Sequence, residues 1–397
     1  MRRLWPLLSI LFLAACSSSG PMHKPTPLQP LDAELLVTKQ WAKQIPGNRL
    51  DEVYKRLVPV VADEVLYTVS AEGVVYALST NGGKRLWKTD LDTIISAGLG
   101  YNDELLFVGT ADAQVIALNR IDGEIRWQSR VTTEVLAPPA ANGSYVIISC
   151  GDGEIYALNS ENGLPLWQLK RNVPALSLRG NSTPVIVDDV VLIGTAEGHL
   201  LAASIYNGDP LWETTIAVPK GRTDLERMVD VDATPLVIDG TIYSAAYQGR
   251  IVALSLDSGR VLWSRDIGSS AGLVADGANL YLVADDSYIW ALDRRTGATL
   301  WRQDALAYRN LSTPALYDNY LVVGDVEGFL HWLSLEDGRI VARYQVDEGM
   351  AIGAPIQVKN NVAYVRNEHG EIEVLLSRNI NDVIAESASK IVHQWWR

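Results

Sequence analysis

From about residue 57 onward, apolar positions recur with a period of two, in runs of roughly five residues cut by Gly, Asn and Asp. That period predicts β-strands and excludes helical solenoids, whose apolar spacing is three to four residues. The stretch 183–216 shows one full unit. Residues 183–187 are apolar and alternating, Asp188-Asp189 turns the chain, and 190–195 forms a second run. Ala196-Glu197-Gly198 turns again, 199–204 is a third run, Asn207-Gly208 turns, and 211–216 is a fourth. Gly, Asn and Asp serve here because they tolerate the positive φ that tight hairpins demand.

The unit repeats. An apolar pair is followed by Gly and then Trp in Ala77-Leu78…Gly83…Trp87, Ala117-Leu118…Gly123…Trp127 and Ala157-Leu158…Gly163…Trp167. The same order returns in Ala202-Ala203…Gly208…Trp212, Ala253-Leu254…Gly259…Trp263 and Ala291-Leu292…Gly297…Trp301. A seventh copy, Trp332-Leu333…Gly338…Ala342, is degenerate. The eighth is split between Val374-Leu375 near the C-terminus and Trp41 near the N-terminus. Four strands in about 40 residues is a propeller blade. Inner strands are expected to begin near Leu57, Ser96, Pro138, Thr183, Thr234, Ala271, Thr313 and Ala354, giving an all-β, eight-bladed β-propeller of four-stranded antiparallel blades over residues 37–378. Residues 354–376 would supply three strands of the last blade and the segment around Gln40-Trp41 the fourth, so the ring closes without an open edge. Trp41, Trp87, Trp127, Trp167, Trp212, Trp263 and Trp301 read as plates that dock each outer strand on the neighbouring blade, with each indole N–H given to a backbone carbonyl.

The N-terminal residues 1–15 read as a signal peptide: Arg2-Arg3, then an apolar run too short for a bilayer span, then Leu13-Ala14-Ala15-Cys16. This is the bacterial lipoprotein box, with Cys16 as the lipidated residue. Ser17 in place of Asp fits sorting to the outer membrane. Residues 16–36 then read as a flexible tether, semi-rigid from Pro21 to Pro30. Cys150 is the remaining thiol and reads as buried and structural. Residues 379–397 read as an amphipathic helical extension with Ile384, Ala388, Ile391, Val392 and Trp395 on one face. It fits either a helix lying on the propeller flank or one that docks a partner or a membrane surface.

Charge narrows the function. Loss of Arg2 and Arg3 takes the formal net charge from −13 to −15, which excludes nucleic-acid binding and suits a soluble periplasmic body. No two of the five His are spaced as metal ligands, no nucleophile elbow is present, and the Gly-x-Gly runs lack a following helix. No catalytic residue, metal site or cofactor is therefore expected, apart from the lipid on Cys16. Asp152, Asp285, Asp286 and Asp325 are expected to serve turn N–H groups.

Two long irregular connections break the repeat, at residues 172–182 and 218–233. Both join a fourth strand to the next blade's first strand, so they emerge on one face at consecutive junctions. That places Leu176, Leu178 and Arg179 beside Asp230 and Asp232. Loops on a rigid scaffold concentrate binding residues. The same juxtaposition also fits an Arg179–Asp pair with no partner role.

Leu176-Ser-Leu-Arg-Gly180, Asp230-Val-Asp-Ala-Thr-Pro235 and Val322-Val-Gly-Asp325, together with the lipoprotein box, make the chain resemble the BamB family, the propeller lipoproteins of the outer-membrane β-barrel assembly (BAM) complex. The resemblance runs from the box to the last blade. It implies a non-catalytic subunit on the periplasmic face of the outer membrane that binds POTRA domains of BamA and assists barrel insertion. Leu176, Leu178, Arg179, Asp230 and Asp232 would be the BamA contacts, and the protein would be a monomer within a hetero-oligomer that also meets unfolded outer-membrane protein precursors. The tail from Asn381 departs from the family pattern. The blade motif is shared with pyrroloquinoline-quinone alcohol dehydrogenases, but those carry adjacent cysteines and this chain has none. A scaffold for another envelope complex is the remaining alternative.

Overall fold

In a computed structural model, residues 23–46, 57–174, 182–223 and 226–384 are described. They form eight four-stranded antiparallel sheets. Blades 1 to 7 occupy residues 60–90, 95–130, 140–170, 185–215, 236–265, 273–303 and 315–345, each a simple meander. Blade 8 takes three strands from 357–379 and its outer strand from Leu35–Gln44. The fourth unit matches its sequence pattern closely: its strands are Val185–Val187, Val190–Gly194, His199–Ser204 and Pro210–Thr215.

Turn chemistry explains the meander. The turns from first to second strand hold Asp63, Asp188, Asp239, Asp318 and Asn360 at φ between 50° and 54°, where a short polar side chain is tolerated best. Second and third strands are buried on both faces, whereas each outer strand is half exposed. One face of the disc carries the second-to-third turns and the inter-blade connections; the opposite face carries the other turns. We refer to the former as the connection face.

The repeat Trp and Gly form pairs across blade boundaries. A β-carbon added to Gly83, Gly123, Gly163, Gly208, Gly259, Gly297 or Gly338 would lie 2.4–2.7 Å from Cε3 of Trp41, Trp87, Trp127, Trp167, Trp212, Trp263 or Trp301 respectively. Each glycine thus sits flat against the indole of the preceding blade. Each indole Nε1 donates to a backbone carbonyl in that same turn at 2.7–3.0 Å, from Thr80 for Trp41 through Leu335 for Trp301. The plate expected from sequence is therefore a two-point joint: ring on glycine, N–H on carbonyl.

The degenerate seventh copy follows from the split eighth. Blade 8 has no turn between its third and fourth strands, because one ends at Asn379 and the other begins at Leu35. There is no glycine for a blade 7 tryptophan to meet, and Ala342 stands in its place. The indole has moved across the strand pair to Trp332, which faces Ala342 and is fully buried.

At the seam, Leu35–Gln44 pairs antiparallel with Glu371–Asn379. The fully buried Arg366 of blade 8 donates through Nη1 to Leu57 O, Thr68 Oγ1 and Val69 O at 2.7–3.1 Å, stitching blade 8 to blade 1. Burial lowers its pKa to about 10.

Candidate partner-binding face

On the connection face, backbone hydrogen bonds lock each junction to the blades on both sides. At the junction of blades 4 and 5, Val231 N donates to Thr195 O at 3.1 Å and Tyr247 N donates to Asp230 O at 2.9 Å. The junction of blades 2 and 3 repeats this with Val135 N to Thr110 O and Gly151 N to Glu134 O. Asp230 therefore occupies a structural ring position, and it is 1 % exposed. Asp232 is half-buried. Met228, Val229, Val231 and Ala233 are buried around them, with Val229 and Val231 in the core shared by blades 4 and 5.

Further out, the same connection organises itself. Thr223 Oγ1 accepts from Glu226 N at 3.3 Å, while Glu226 Oε2 accepts from Arg222 N at 2.7 Å and Thr223 N at 3.2 Å. This reciprocal Thr-x-x-Glu arrangement is the one that opens helices, used here to close a loop. The bond from Arg222 N, followed by that from Thr223 N, holds the Glu226 carboxyl below its usual range. Val218 stands exposed at the entrance to the loop.

Leu176, Leu178 and Arg179 lie outside the described residues, as do Cys16 and the helical face from Ala388 to Trp395. The flanking residues place the 172–182 connection at the junction of blades 3 and 4, adjacent to that of Asp230 and on the same face. Ser182 is buried with Oγ within 3.4 Å of Ala233 O. The exits of the two long connections therefore touch, as their positions in the repeat require.

Sequence reasoning missed a buried polar cluster at the junction of blades 6 and 7. Asp325 is fully buried. Its Oδ1 accepts from Glu327 N and Phe329 N at 2.9 Å, the turn role expected of it. Its Oδ2 takes Arg309 Nε at 2.7 Å and His331 Nε2 at 2.8 Å. Arg343 Nε donates to His331 Nδ1 at 3.4 Å, so the ring proton sits on Nε2 and goes to Asp325. Burial alone would raise the Asp325 pKa, but hydrogen bonds from His331 and Arg309 reverse this and hold it low. Burial lowers His331 against the pull of Asp325 and keeps the ring neutral. The signal in the sequence was an Asp, a His and two Arg scattered over 35 positions, and no local spacing connects them.

A metal-like grouping exists among the described residues: Asp347, Glu371 and Glu373 present carboxylate oxygens within 4.8 Å of one another. Its oxygens already have donors. Lys39 pairs with Asp347, and Tyr344 Oη and Asp347 N donate to Glu373 at 2.8 and 2.7 Å. Cys150 is 1 % exposed, and burial pushes its thiol up to about 12, far from the range of a nucleophile.

These features define a class: an eight-bladed propeller of Trp–Gly docked repeats, closed by its own termini, with its irregular chain gathered on one face. The chain belongs to the family described as outer membrane protein assembly factor BamB, which matches residues 71–303 and 289–383. It is 49 % identical over 356 residues to BamB of Marinobacter adhaerens, covering 89 % of this chain and 91 % of that one. It is 35 % identical over 354 residues to BamB of Escherichia coli K12, covering 86 % and 90 %. The crystal structure of BamB from Moraxella catarrhalis superposes with a TM-score of 0.79 at 27 % identity, over 86 % of this chain and all of that one. The quinohemoprotein alcohol dehydrogenase ADHIIG of Pseudomonas putida HK5 shares the fold, with a TM-score of 0.66 at 12 % identity over 86 % of this chain and 76 % of that one.

Proposed function

We propose that this chain is a non-catalytic adaptor for outer-membrane protein assembly, held on the periplasmic face of the outer membrane by acylated Cys16, with no cofactor beyond that lipid. Its partner is a POTRA domain of BamA, gripped by the connection face where the junctions of blades 3–4 and 4–5 meet. The observation that carries this reading is the locked base of the 218–233 connection. A rigid ring position beneath an irregular loop is how a scaffold presents a binding surface without paying for its ordering at each encounter.

The roles divide by burial. Leu176, Leu178 and Arg179 are assigned the direct contact. Asp230, which is buried, works from beneath, fixing the base of the neighbouring 218–233 connection; half-buried Asp232 supplies charge at the edge. Anchoring to the same membrane as BamA raises the effective concentration of each for the other.

Titrating residues 17–397 with the cognate POTRA domains tests this. Saturable binding that Leu178→Ala or Arg179→Ala loses, with the melting temperature unchanged, supports the reading. If a well-folded wild type fails to bind any POTRA domain, the BamA assignment is wrong.

A further inference from the structure

The geometry points to residues 23–34 being a docked strap rather than a spacer, one that makes the connection-face rim at blades 6 and 7 the sector held against the lipid surface. The second half rests on the proposed acylation of Cys16; the first does not.

The strap runs down the outer edge of blade 7 from the connection face to the opposite face. His23 stacks on Tyr308 with ring centroids 4.4 Å apart. Thr26 N donates to Ala307 O at 3.0 Å, and Glu34 N donates to Val341 O at 2.8 Å. Leu28 packs against the core shared by blades 6 and 7. The Glu34 side chain pairs with Arg339.

The buried cluster is the strap's clamp. From Asp325 one arm runs through Arg309, whose Nη1 donates to Thr26 O at 2.9 Å. The other runs through His331 to Arg343, whose Nη1 donates to Gln29 O at 3.1 Å. Two arms from one carboxylate thus hold two strap carbonyls three residues apart. Burying Arg309 and Asp325 is costly, and such groups are best explained where they fix a register. The register fixed here is that of the strap.

Blade 7 is shaped to receive it. The bulged residue beside the docking position on the outer strand is exposed in other blades, as with Leu86 at 53 % and Leu300 at 51 %. Its counterpart Val341 is 0 % exposed. Among the described residues, chain covers the outer edge in this blade alone.

The consequence is geometric. Were residues 16–35 free, the anchor could hold the propeller up to about 65 Å from the lipid. With the strap docked, only the seven residues 16–22 remain, a reach of about 25 Å. They leave from the connection face, where Tyr308 and Val326 stand exposed beside the exit. The connection-face rim at blades 6 and 7 is then the sector turned toward the bilayer.

Two measurements on the protein decide this. The first is hydrogen exchange of the amides of Thr26 and Glu34 in residues 17–397. We expect them to exchange at least a hundredfold slower than in an isolated peptide. Peptide-like rates overturn the strap. The second uses the acylated full chain in phosphatidylcholine vesicles with paramagnetic lipid, labelled at Val326→Cys, Asp337→Cys or Asp112→Cys. Quenching several-fold stronger at 326 than at 337 (the same blade, opposite face) and at 112 (the same face, opposite rim) is expected. Thr26→Pro with Leu28→Asp, which leaves every blade residue in place, should level the three. Equal quenching in the wild type overturns the membrane-facing rim. If mass spectrometry finds Cys16 unmodified, the anchor reading fails and the exchange data still decide the strap.

Discussion

Gly338 lies so close to the face of Trp301 that a β-carbon added to it would come within 2.5 Å of Cε3. The glycine also sits at φ 75°. Six further pairs repeat the relation, so the joint between blades tolerates no side chain at one of its two positions.

Gly208→Ala should therefore lower stability by about 2–4 kcal/mol, from positive-φ strain and overpacking together. Gly143→Ala, at a position with open space around it and no positive φ, should be neutral. Chemical denaturation of both variants checks this; equal effects would remove the joint as an explanation.

The indole N–H adds a second measurable part. Trp167→Ala should cost about 3–5 kcal/mol. Trp167→Phe also orphans Ile205 O, which accepts its N–H at 2.7 Å. Trp332 Nε1 has no such partner among the described residues. Trp332→Phe should thus be milder than Trp167→Phe by about 1 kcal/mol, measured by the same denaturation.

Acid should weaken the strap's clamp. His331 has a folded pKa below its ordinary 6.5, so the unfolded chain takes up its proton first and stability falls as pH drops below about 6.5. Asp325, held below 3.8, adds stability that is present above that value and lost as pH falls further. Melting between pH 7.5 and 5 should show a decline that His331→Gln flattens. An unchanged slope in the variant would assign the acid response elsewhere.

Asp230→Asn should separate support from contact. Because the Asp230 side chain is buried, removing its charge should cost both stability and POTRA binding, whereas Arg179→Ala should lose binding alone. Paired melts and titrations decide between these roles. An Asp230→Asn variant that melts like wild type while failing to bind would return Asp230 to the contact surface.

Much of this architecture could be read from residue order, because a propeller repeats its constraints. Gly163 and Trp167 recur since every junction poses the same packing problem, and the split of the eighth copy announced the seam. The buried state of Asp230 was not legible: an Asp-x-Asp alternation looks the same whether its first residue is exposed or buried at a blade junction. The clamp was hidden for another reason. Arg309, Asp325, His331 and Arg343 belong to a connection, a turn and two strands, and each occurs once. Only the missing tryptophan at Ala342 marked blade 7 as different, and its cause lies in blade 8.

The closing strand has a consequence for the order of events in the cell. Leu35 pairs with Asn379, which follows it by more than three hundred residues. Until that partner arrives, the outer strand of blade 8 has no neighbour to pair with, and the edge it must cover does not exist. The ring cannot close until both paired segments are present, so closure waits for residues 371–379. Its speed is set by the search of two ends separated by more than three hundred residues, which is slow for non-local β-pairing. A chain cut short by even its last strand would expose raw sheet edges rather than form a smaller ring.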